Sequence, residues 1–142
     1  MLIQCVTNSF RSEMLQGVHD LSTDVLRMAL YTSVADLYPT TTAYAATGEV
    51  VASGYPAGGI VMTGVTVATG PASTTQPAVV YVSFNNVSFP ATITARGALI
   101  YNSTKANRSV AILDFGADKT MSPVFIVQMP AATPTTALLR FP

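Results

Sequence analysis

Residues 93–116 read ITARGALIYNSTKANRSVAILDFG, and the fold turns on how that stretch pairs. Two apolar runs, Ala98-Leu99-Ile100-Tyr101 and Val110-Ala111-Ile112-Leu113, have strand length and composition. Between them, residues 102–108 are rich in turn formers, so the spacing predicts a β-hairpin with a rather long loop. A strand with one face in water alternates apolar with polar residues, whereas these arms are apolar on both faces. Such a hairpin belongs in the middle of a sandwich, or under another chain.

Composition narrows the setting. The 142 residues are the length of one domain and suffice for a real core. Only 10% are charged, and seven basic residues balance seven acidic ones. The mean hydropathy of +0.42 is high for a protein dissolved on its own. No apolar run approaches the roughly 18 to 20 residues of a membrane helix, because Thr, Gly or Pro interrupts each one. A surface so poor in charge is weakly protected against association, which favours an assembled working state. The charge balance leaves no footprint for nucleic acid. A single cysteine, Cys5, excludes an internal disulfide and a cysteine-based zinc site. The first residues lack the basic segment of a signal peptide, so synthesis in a reducing cytoplasm is the expectation.

Outward from the hairpin, Asn8 or Ser9 is placed to cap a helix through Phe10–Gln16, with Gly17 as its stop. Phe10, Met14 and Val18 form its apolar stripe. Residues 25–31 follow as a strand, with Leu26, Met28 and Leu30 on one face. Residues 33–47 form a long connection expected to run over the surface. Residues 48–52 read as a short strand or extended segment, and Gly54–Gly59 as a turn. Strands are expected over 60–67, 78–84 and 124–129, with loops at 70–77 and 117–120. Leu138 to Phe141 reads as a last edge strand. About eight short strands and one short N-terminal helix predict an all-β, jelly-roll-like β-sandwich. Nothing divides the chain, so 1–142 reads as one domain with apolar N- and C-terminal segments.

Chemistry finds little purchase. Asp114-Phe115-Gly116 copies a kinase metal-binding triplet, but no glycine-rich nucleotide loop or catalytic-loop motif accompanies it. Gly54 and Gly59 have phosphate-loop spacing, yet Ile60 and Val61 stand where Lys and Ser/Thr are required. His19, with Asp20 and Asp24, is one imidazole beside two carboxylates; a helix-end histidine is the preferred reading over a metal site. Cys5 and His19 lack an orienting third group for nucleophilic chemistry. The sequons at Asn86, Asn102 and Asn107 are what a chain rich in Asn, Ser and Thr produces by chance. No catalytic residue, metal or cofactor is assigned. The six tyrosines point instead to protein contact.

Residues 6–20, Met28–Thr32, the Thr-rich loop ending at Tyr44, the Gly54–Gly59 turn, 94–102 and 111–116 together resemble small virion structural proteins of tailed bacteriophages. Within that group the chain is most similar to capsid cementing, or decoration, proteins. The resemblance implies a jelly-roll fold and a homodimer on the outside of the capsid. There it would bridge subunits of the major capsid protein, with no membrane or nucleic acid as partner. A neck, tail or fibre-base station, or a virion-surface module for a glycan or receptor, is the alternative. The apolar chain ends, Leu2, Ile3, Phe10, Leu138, Leu139 and Phe141, are the expected partner contacts. Lys105 and Arg108 are expected to face outward at the hairpin tip.

Overall fold

The computed structural model describes residues 1–71, 74–75 and 77–141. The loop expected at 70–77 thus lies partly outside the described residues. In chain order the elements are β1 (Cys5–Val6), α1 (Asn8–Leu15), β2 (Leu26–Tyr31), β3 (Ile60–Val61), β4 (Thr66–Thr69) and β5 (Val80–Ser83). β6 (Val87–Phe89), β7 (Ile93–Asn102), β8 (Arg108–Met121), β9 (Phe125–Val127) and β10 (Leu139–Phe141) follow. With 40% strand and 6% helix the all-β class holds. Antiparallel pairing builds a five-stranded sheet β1-β8-β7-β2-β3, a three-stranded sheet β10-β5-β4 and a two-stranded sheet β6-β9.

The hairpin is central, as its two apolar faces require. β7 runs between β2 and β8, with Leu99 opposite both Ala29 and Ile112. One face of the large sheet carries Leu26, Met28, Leu30, Ala98 and Ile100. These enter a single core with Val82, Phe89, Phe125 and Leu139 from the two smaller sheets. The opposite face presents Ala29, Tyr31, Leu99, Tyr101 and Ile112 to a second core. Its cover is not a sheet. Leu2, Ala35 and Leu37 fill it, with Leu2 bridged to Leu37 and the Ile3 N–H bonded to the Leu37 carbonyl at 3.0 Å. The 33–47 connection runs over the surface as expected, and through its buried Ala35 and Leu37 it is also a lid: two doubly apolar strands cannot leave one face in water.

Several boundaries move for physical reasons. β8 continues to Met121 through the turn expected at 117–120, because β7 starts at Ile93 and pairs Thr94 with Thr120. The strand expected over 60–67 splits into β3 and β4, with Gly64 between them at φ +65. Residues 48–52 form no strand; Glu49 makes one bridge to Tyr31, and Val50 donates to Leu30 at 2.9 Å. Tight approach explains Gly59 (φ +81), where a Cβ would overlap the Met28 carbonyl. α1 ends as predicted: Gly17 (φ +73) lets Val18 donate to Glu13 at 3.0 Å and Gly17 to Met14 at 3.3 Å. Its N-terminus differs. Thr7 is the N-cap but makes no side-chain cap bond, since its hydroxyl is turned to the Val110 carbonyl and Ser109.

Candidate functional site

Two internal polar clusters and one apolar groove carry the unusual chemistry. The first cluster ties α1 to the hairpin tip. Asn102, fully buried at the end of β7, spends both amide hydrogens: 2.9 Å to His19 Nδ1 and 2.7 Å to Asp24 Oδ2. Its Oδ1 accepts the backbone N–H of Thr104 and of Lys105, each at 3.1 Å. His19 Nδ1 must then be the bare acceptor, so Nε2 carries the proton and donates to Glu13 at 3.1 Å. Glu13 also receives Arg108, and Asp24 receives Lys105 Nζ at 2.9 Å.

Burial alone would raise the Glu13 carboxyl, but the hydrogen bonds from His19 and Arg108, with the Arg108 charge, hold it below its ordinary value. Asp24 is likewise opposed by burial. The Asp20 N–H, Asn102 and Lys105 outweigh that and lower it.

Glu49 is the centre of the second cluster. It accepts the Tyr44 hydroxyl at 2.5 Å, the Tyr55 hydroxyl at 2.7 Å and the Gly58 N–H at 2.8 Å. Tyr101 donates to the Gly58 carbonyl and stacks on Tyr44 with ring centres 4.8 Å apart. Tyr31 donates to Ala45 at 2.7 Å. Burial, then the Glu49 carboxylate, pushes the Tyr31, Tyr44 and Tyr55 hydroxyls up. Four of the six tyrosines expected at an interface are therefore used inside the chain, pinning the 43–59 loops to β2 and β7. Among the described residues, every buried side-chain nitrogen and oxygen has a partner.

The groove lies between α1, the 17–22 turn and the three-stranded sheet, with a volume of about 920 Å³. Met14 and Leu21 form one wall, Val67, Val80 and Phe141 the other. Leu15 stands on its rim with 92% of its surface in water, and Val67 is 48% exposed. Arg11 and Asp20 are the charges beside it.

The chain-end residues expected to meet a partner divide. Phe10 is wholly buried, its ring 4.9 Å from His19, because α1 lies across β8 with that face inward. Leu2 fills the second core, and Leu139 packs in the first, opposite Val82. These three serve the fold and are not free for a partner. Ile3 and Phe141 are exposed and Leu138 is half-buried. Lys105 and Arg108 do not point freely outward either; each is held by a carboxylate, with side chains 35% and 43% exposed. Asp20 does not join His19: its carboxylate takes the Ser22 N–H and hydroxyl. Cys5 sits against the second core, where burial raises its thiol. No cluster of three or more metal-binding side chains occurs among the described residues.

Sequence reasoning overlooked Leu15, Val67, Val80 and Asn102. Leu15 had a signal, a leucine lying off the Phe10–Met14–Val18 stripe. Asn102 had none beyond its place in a turn. Compared with known proteins, the chain matches no family model, no curated protein and no solved structure.

Proposed function

We propose that this chain is a non-enzymatic structural protein of a tailed-phage virion. It binds the outside of the capsid as a homodimer and bridges major capsid subunits to stabilise the shell. The observation carrying this reading is the open apolar groove with Leu15 fully in water on its rim. A monomer gains no burial from such a residue, whereas a partner that covers it gains roughly 2 kcal/mol. Low charge supports the same reading, since apolar and threonine-rich surfaces pack closely without stranding desolvated ions. The jelly-roll-like character of the sandwich is part of the proposal, supported by the long 33–47 connection that crosses the large sheet.

The work done is mechanical. A shell under pressure from packaged DNA is held by many small contacts, and repetition multiplies each tenfold in affinity, about 1.4 kcal/mol, through avidity. A glycan-binding module is less well supported, because four tyrosines are committed to the Glu49 cluster and its loops. Cryo-EM of particles with and without the protein is the test. Density on the capsid lattice, reduced for Leu15→Asp, is expected. Density at the neck, tail or fibre base would move the station, and density nowhere would end the reading.

A further inference from the structure

The geometry points to β4 as a self-pairing edge: we infer that two copies join β4 to β4, antiparallel, about a two-fold axis at Ala68. β4 lies at the end of the three-stranded sheet, bonded to β5 on one side only. Its parity follows from one bond. Gly70 donates to Val79 at 2.8 Å, so Ala68 and Thr66, at even steps back, turn their backbone toward β5. Val67 and Thr69 therefore turn an N–H and a C=O outward, and among the described residues nothing receives them.

The other edges of the two larger sheets are guarded, and β6 and β9, the edges of the two-stranded sheet, are only three residues long. β1 and β3 are two residues long. β10 carries Arg140 at its centre. The free part of β8 has Gly116 at φ +81 and the charges Asp118 and Lys119. β4, Thr-Val-Ala-Thr, has no charge, proline or bulge, the usual devices that keep edges apart.

An unguarded edge offers its outward N–H and C=O groups to an extended strand, and β4 is complementary to itself. With Ala68 opposite Ala68 of the other copy, Val67 faces Thr69 of that copy and each exchanges its outward N–H and C=O. The axis position is a non-hydrogen-bonded pair, where strands approach closest, roughly 4.5 Å between Cα atoms, and alanine is small enough to sit there. Val67 and Thr69 form the β-branched cross-strand pairs that sheets favour. Strand pairing alone covers less than the roughly 1,200 Å² of a stable interface. The groove that opens beside Val67 and runs across that face of the sheet supplies further apolar area next to the edge. The expected dimer is concentration-dependent.

Cysteine cross-linking decides it, in a Cys5→Ser background so that no other thiol reacts. Ala68→Cys places two thiols across the axis and should give a disulfide-linked dimer under mild oxidation. Thr66→Cys, displaced from the axis, should not. Thr69→Pro removes an outward N–H while sparing the β5 bonds, and should weaken dimerisation in sedimentation equilibrium by roughly tenfold or more. Linkage of Thr66→Cys as readily as Ala68→Cys, or a monomer at every concentration, would overturn the pairing. So would Thr69→Pro dimerising as the parent does; if it fails to fold, the cysteine pair still decides. The measurement uses purified protein, so its failure removes the β4 dimer and leaves the capsid station to the particles, and an unoccupied capsid leaves the pairing standing.

Discussion

The side-chain amide of Asn102 donates to His19 Nδ1 across 2.9 Å, between residues 83 apart in the chain. That bond makes the helix end and the hairpin tip one unit. Through it, Arg108–Glu13–His19 and Asp24–Lys105 become a single chain of polar contacts. Removing its centre should be felt at both ends.

Asn102→Ala removes one hydrogen bond each from His19 Nδ1, Asp24 and the N–H groups of Thr104 and Lys105 at a buried position; Asp24 keeps Lys105, and the Lys105 N–H keeps the Asn102 backbone carbonyl at 3.2 Å. The expected loss is about 3 kcal/mol, since unsatisfied buried groups cost roughly 1–3 kcal/mol each and relaxation recovers part. Urea unfolding would record it as a lower midpoint with an unchanged slope.

Acid should attack the same network. Glu13 and Asp24 have folded values below their ordinary ones, so their contribution is present above the ordinary carboxylate range and lost as pH falls through the lowered values. In Lys105→Met, Asp24 loses its cation and its folded value rises. The variant should be less stable at pH 7 by about 1 kcal/mol or less. Its deficit should vanish once pH falls below the folded values of both carboxylates. Circular dichroism across an acid series would trace the two curves converging.

At the alkaline end the sign reverses. Tyr31, Tyr44 and Tyr55 are raised above 10.0 by burial and then by Glu49. A raised acid contributes stability fully below its unfolded value and loses it as pH climbs toward the folded one. Tyrosinate absorbance should therefore show these three ionising late, together with unfolding. Glu49→Gln removes the carboxylate charge and should bring Tyr44 and Tyr55 to lower pH.

Phe10 and Leu15 lie on one short helix with opposite duties. Phe10→Ala should cost about 3–5 kcal/mol, the usual range for a buried aromatic truncated to alanine. Leu15→Ser should change thermal stability of the monomer by less than about 0.5 kcal/mol. A large loss at Leu15 would mean that the groove is closed within the chain.

What could be read from the sequence was whatever local chemistry enforces. Gly17 had to end the helix because only glycine takes its left-handed φ without strain. Leu26, Met28 and Leu30 had to share a face because strand side chains alternate. The hairpin had to be covered on both faces because neither arm alternates. The Gly54–Gly59 turn and the last edge strand followed from the same signals.

What covers those faces was decided only in three dimensions. Composition cannot say that 33–47 closes one face while two small sheets close the other, since a Thr-rich loop and a surface loop look alike until Leu37 meets Leu2. Nor could it assign the chain ends, because an apolar terminus suits a core as well as a partner; Phe10 and Leu139 found cores, and Phe141 a groove rim. Hydrophobicity is non-directional and specifies that a residue be covered, not by what. The directional bonds, Asn102 to His19 and Tyr101 to the Gly58 carbonyl, join segments that carry no mark of one another in sequence. Only tertiary structure brings such partners within hydrogen-bond distance, and the hairpin of residues 93–116 is the frame on which it does so.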